Sequence, residues 1–93
     1  VFKPDNWIII SFGEKKCTLI TTYDDGQLKL TSSIIGCLNR EDGFLFNTES
    51  GDFICNKNNW GLDKEIFKRL EDCFKSTVFF VLHKNEDYEK IFE

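Results

Sequence analysis

Glycine-centred turns crowd the first half of this chain. Gly13-Glu14-Lys15-Lys16, Asp24-Asp25-Gly26, Glu41-Asp42-Gly43 and Glu49-Ser50-Gly51-Asp52 all fall within about forty residues. Glycine supplies the positive φ that closes tight hairpins, so regularly spaced turns of this kind mark a strand meander. The intervening runs agree. Trp7 to Phe12 is β-branched and aromatic, with Ile8, Ile10 and Phe12 on one face of a period-two pattern. Cys17 to Tyr23 carries Thr18, Thr21 and Thr22, which suit a half-exposed pleat. Leu28 and Leu30 alternate with Lys29 and Thr31, the signature of a strand with one wet face. Gly36, inside the run that follows, predicts a bulge or bend. Phe44 to Thr48 and Phe53 to Cys55 complete the set.

After the polar loop Asn56-Lys57-Asn58-Asn59-Trp60-Gly61 the period changes. Ile66, Phe67, Leu70, Cys73 and Phe74 form one apolar stripe at helical spacing, predicting a helix over about 63–75. Asp63 is the expected N-cap, and Leu62 and Phe67 are placed to form a hydrophobic staple. Glu65–Arg69 and Glu71–Lys75 are spaced for i,i+4 ion pairs on the outer face. The unbroken β-former run Thr77 to His83 reads as a strand buried on both faces, hence central in the sheet. Asn85 is the expected cap of a short final helix, from which Tyr88, Ile91 and Phe92 return to the core.

These elements specify one α+β domain over residues 1–93. Its expected form is a bent antiparallel sheet or small barrel of five or six strands, with one amphipathic helix, a late central strand and a short C-terminal helix. At 93 residues the chain closes a single core. Ten phenylalanines, spread along its whole length, give every element a large ring for that core.

Charge and cysteine usage bound the function. The net charge is −4, and residues 1–60 carry the same numbers of acidic and basic side chains as residues 61–93. Basic residues adjoin only at Lys15-Lys16 and Lys68-Arg69, too sparse for a phosphate-neutralising surface, so nucleic acid is not the expected partner. Cys17, Cys37, Cys55 and Cys73 lie eighteen to twenty residues apart with no Cys-x-x-Cys pair. They are expected to be reduced, core-packed thiols and not zinc or redox ligands. No apolar run is long enough to span a membrane. The chain begins at Val1 and contains no methionine, so the natural start is expected upstream. The cytoplasm is the expected compartment, with secretion the alternative.

No motif specifies catalysis or a cofactor. The sole histidine, His83, ends a β-run. The Asn58–Gly61 stretch lacks the Gly-rich loop and Lys-Ser/Thr of a P-loop. The acidic turns lack the spacing of an EF-hand. The expected function is therefore a small acidic protein-binding module of the inhibitor, immunity-protein or adaptor type, not an enzyme. Its expected contact surface is the rim around Trp60, with Asn58 and Asn59 beside it and the acidic turn Asp24-Asp25 nearby. Two alternatives stand. A small ligand or nucleotide could be bound by a hydroxyl-lined sheet face (Thr18, Thr21, Thr22, Thr31, Ser32, Ser33, Thr48 and Ser50), or a Cys/His pair could act in catalysis.

Overall fold

The computed structural model describes residues 1–13 and 16–93. Six strands form one open antiparallel sheet in the order β5-β4-β3-β2-β1-β6. The strands are β1 (Asn6–Ser11), β2 (Cys17–Thr22), β3 (Leu28–Arg40), β4 (Gly43–Thr48), β5 (Gly51–Cys55) and β6 (Phe80–Leu82). The first five are a meander, as the turn glycines predict. At the first turn the Lys16 amide donates to the Gly13 carbonyl; the tip, Glu14-Lys15, lies outside the described residues. Gly43 must be glycine on steric grounds. It has φ +142°, and a Cβ there would lie 2.9 Å from the Cys55 carbonyl carbon, closer than real side chains approach backbone.

The sheet bends within β3, which is thirteen residues long. Its first part pairs with β2 and its second with β4, and the register slips between Ile34 and Gly36. This is the bulge that Gly36 predicts, and bulges bend strands. A second slip faces Thr18–Ile20 of β2, where the Thr31 hydroxyl accepts the Leu19 amide and donates to the Ser32 carbonyl. The bend brings the end of β5 back to the chain's start. The Phe2 amide donates to the Asp52 carbonyl, and the Ile54 amide donates to Phe2.

Each face of the sheet carries its own cluster. On one, Ile8, Ile10 and Ile20 meet helix α1 (Lys64–Cys73) through Leu70, with Phe12, Phe67, Phe74 and Phe79 around them. On the other, Trp7, Ile9, Leu19, Phe44 and Phe46 meet helix α2 (Tyr88–Ile91) through Tyr88, with Phe92 just beyond it. Helix α1 starts as its sequence predicts: the Asp63 carboxylate accepts the Ile66 amide at 2.9 Å. Leu62 and Phe67 pack against the same cluster. No helix among the described residues is long and apolar enough to cross a membrane.

Four local expectations are corrected. The strands buried on both faces are β1, whose Trp7, Ile8, Ile9 and Ile10 are all 0–2% exposed, and β2, whose Leu19 to Thr22 are buried as well. The late strand lies at the sheet edge. The apolar run Thr77–His83 mimics a central strand, yet only β1 offers it a free side, and no later strand covers its own outer side. Cys73 is exposed, because α1 ends on that turn. Arg69 reaches across to the Gly26 carbonyl (3.2 Å) instead of pairing with Glu65; among the described residues the ion pair that forms is Arg40–Asp42. Finally, Asp87 and not Asn85 caps α2, accepting the Lys90 amide.

Leu70 is the one fully buried residue of α1. Leu70→Ala should therefore cost about 2–5 kcal/mol in urea denaturation. Cys73→Ser, on the same helix, should stay within about 0.5 kcal/mol.

Candidate binding surface

The residues singled out around Trp60 follow β5, and Asn56 organises them. Its side-chain oxygen accepts the Asn58 amide at 2.8 Å. Its carbonyl accepts both the Asn59 amide and the indole N–H of Trp7, at 3.0 and 2.7 Å. A single 3-10 turn, Lys57–Asn59, results. Asn6 Nδ2 donates to the Asn59 carbonyl, and the Gly61 amide donates to the Trp7 carbonyl. The loop is thus pinned along β1 by backbone and amide bonds.

This pinning turns Trp60 inward. Its ring is half-buried, packs against both hydrophobic clusters and lies 5.9 Å from the His83 ring. Its Nε1 is buried without a hydrogen-bond partner among the described residues. An unsatisfied buried donor costs about 1–3 kcal/mol, so the apolar contacts of the indole offset that cost. Trp60 is a wedge between the two cores as much as a surface residue.

The other predicted residues disperse around the loop. Asn58 is exposed and lines a groove of about 710 Å³ between the 3-10 turn and the Lys84–Glu89 segment. Buried Phe44 and Tyr88 form its floor, and its exposed lining carries Lys57 and Lys84 together with Glu86, Asp87 and Glu89. Lys57 Nζ sits 4.8 Å over the Phe44 ring and bonds Asn39 Oδ1 at 2.5 Å. Asn59 faces a separate, smaller hollow with Lys3, Asp5 and Asp42. Asp24 and Asp25 are exposed on the β2–β3 turn, where Asp25 accepts the Gln27 amide. They adjoin Asp5, whose pKa is raised by a hydrogen bond with Asp24, by partial desolvation and by the two neighbouring charges. Asp5 thus links the β2–β3 turn to the Asn59 hollow, but Asn59, Trp60, Asp24 and Asp25 do not line the Asn58 groove. Sequence reasoning missed Lys84, Glu86 and Glu89. Their part in the groove depends on α2 docking beside β3, which no local pattern announces.

The hydroxyl series is largely spent inside the fold. Thr21, Thr22 and Thr48 are buried. The Thr48 hydroxyl donates to the Gly51 carbonyl, Thr21 donates to the Lys29 carbonyl, and Ser32 and Ser50 bond one another at 2.9 Å. These groups close hairpins and fill bulges. His83 is similarly engaged: Nδ1 accepts the Asn85 amide, and the His83 carbonyl accepts the Tyr88 hydroxyl at 2.6 Å. Among the described residues no group of three His, Cys, Asp or Glu is placed to hold a metal ion.

All four cysteines are free. Cys37 and Cys55 both flank β4, on the inner face, and are two strands apart. That is roughly 9–10 Å at sheet spacing, beyond the about 7 Å limit for a disulfide. Burial pushes Cys37 up to about 12, helped by the nearby charges of Glu89 and Asp87. Burial also raises Cys17 and Cys55. All three stay as neutral thiols near pH 7, the unreactive form. Comparison with protein-family models, curated proteins and solved structures finds no match to this chain.

Two predictions follow from this geometry. In native alkylation followed by intact-mass measurement, Cys73 should react first and Cys55 only on unfolding, with four thiols modified once the unreduced protein is denatured. A lower final count would reveal a disulfide. Trp60→Ala, which removes a ring shared by two clusters, should lower stability by about 3–5 kcal/mol; a change below about 1 kcal/mol would identify Trp60 as a surface group.

Proposed function

We propose that this protein is a protein-binding module of the inhibitor, immunity-protein or adaptor type. It acts by contact and not by catalysis, and its principal contact surface is the groove beside the Lys57–Asn59 turn. One observation carries this reading: this hollow has an aromatic floor and a rim of both charge signs interspersed with amides. Phe44 and Tyr88 form that floor, Lys57 and Lys84 supply positive charge, and Glu86 and Glu89 supply negative charge. Polypeptide surfaces present the same mixture of apolar, amide and charged groups, so such a groove can pair with each of them. Asn58 contributes an amide that donates and accepts. Trp60, which follows the same turn and packs against both hydrophobic clusters, does not line the groove.

Charge reversal tests the reading without disturbing the core, since Lys84 and Glu89 are exposed. The wild-type chain is used to isolate a binding partner from lysate of the source organism, and the affinity for that purified partner is then compared with variants. Lys84→Glu or Glu89→Lys should weaken binding at least tenfold, roughly 1.4 kcal/mol, with the unfolding midpoint unchanged. Equal affinity in both variants would move the contact surface away from this groove.

A further inference from the structure

The two edges of the sheet are treated differently by the rest of the chain. The outer edge of β5 is covered: Phe2 bridges to Phe53, accepting from Ile54 and donating to Asp52. The outer edge of β6 has no partner among the described residues, since β6 pairs only with β1. An uncovered edge presents unpaired N–H and C=O groups, and natural proteins usually guard such edges with charge. Here the guard is absent along the strand. Ser76 to Leu82 contains no charged residue, and Val78, Phe80 and Val81 are 76%, 66% and 37% exposed.

The pairing register places these side chains. Phe80 lies opposite Ser11 and Leu82 opposite Ile9, so Phe80 projects on the face that α2 packs against; Val78, 76% exposed, leads into the strand. Val81 lies opposite Ile10, on the α1 face, beside a shallow groove lined by Phe67, Phe74 and Phe79 and bordered by Glu71 and Lys75. A strand added to this edge therefore meets apolar side chains on both faces.

We infer that the strand which fits this edge is β6 of a second copy, joined antiparallel about a two-fold axis normal to the sheet. That symmetry preserves the faces, so only registers centred on a residue are allowed. Centred on Phe80, the pairing sets Phe80 against Phe80, Phe79 against Val81 and Val78 against Leu82. Every apolar residue meets an apolar residue, the arrangement that stabilises cross-strand pairs. The paired segment, Val78 to Leu82, carries no charged residue, so no like charges are directly opposed. Among the described residues the opposite edge, along β5, is bridged by Phe2, so the assembly stops at two. The short strand makes the contact small, below the roughly 1,200 Å² of a standard stable interface, and the dimer correspondingly weak and concentration-dependent.

Sedimentation equilibrium on the full chain, from about 10 μM to about 1 mM, tests this. The weight-average mass should rise from monomer toward dimer and go no further. Phe80→Lys and, separately, Val78→Lys should each weaken association at least tenfold while leaving the unfolding midpoint at low concentration unchanged, because both side chains are mostly exposed. Two variants guard against one of them misfolding. A wild-type chain that stays monomeric across the range would overturn the inference. So would a dimer unaffected by both variants, or growth beyond two copies.

Discussion

The indole of Trp7 is the contact on which the rest of the structure depends. It is fully buried and packs edge-on against Phe44 and Tyr88, with ring centroids at 6.0 Å, and tilted against Phe46 at 5.6 Å. Its N–H is bound by the Asn56 carbonyl, and its own carbonyl receives the Gly61 amide. One residue thus joins β1, β4, α2 and the loop after β5. Burying a tryptophan with its single donor satisfied combines a large apolar area with a directional constraint. The constraint fixes where the chain goes after β5, and therefore on which side of the sheet α1 begins.

From that point two helices cover opposite faces of β1 and β2. Leu70 and the phenylalanines of α1 take one side; Tyr88 and Phe92 take the other. A domain this small buries little surface in a single layer pair. Sandwiching β1 and β2 between two short helices lets four consecutive residues of β1 be buried, where a one-sided sheet would bury alternate ones. The same arrangement leaves the outer face of β4 and β5 uncovered, with Leu38, Leu45 and Ile54 in one cross-strand row. Leu38 is more than half exposed there.

Two surface regions follow from this economy and have different physical characters. The groove beside Asn58 is polar at its rim and aromatic at its floor, suited to a partner presenting mixed side chains. The β6 edge is apolar and offers backbone groups, suited to another strand. The first exists because α2 docks against β3 next to a 3-10 turn. The second exists because β6 is the last strand and nothing later in the described chain covers it.

Much of the architecture is legible in the amino-acid order. The turn glycines set the meander, Gly36 marks the bulge, the change of period after Gly61 places α1, and Asp63 caps it, because each of these depends on backbone conformation and neighbours a few residues away. The apolar alternation of Ile8, Ile10 and Phe12 likewise names one buried face. Strand order was not legible. Thr77 to His83 has the composition of a central strand, but centrality depends on which edges remain free once β1 to β5 have paired. The candidate site divided along the same line. Asn58 and Asn59 are surface residues of an irregular loop, as their composition indicates, whereas Trp60 was turned inward by hydrogen bonds between Asn56, Gly61 and Trp7, residues about fifty positions apart. The hydroxyl series reads as a polar face in sequence, yet hairpin closure and bulge geometry consumed it. Local propensity and periodicity determine which elements form; only the tertiary structure, through long-range pairing and burial, decided which edge stayed open and which polar groups remained free to bind.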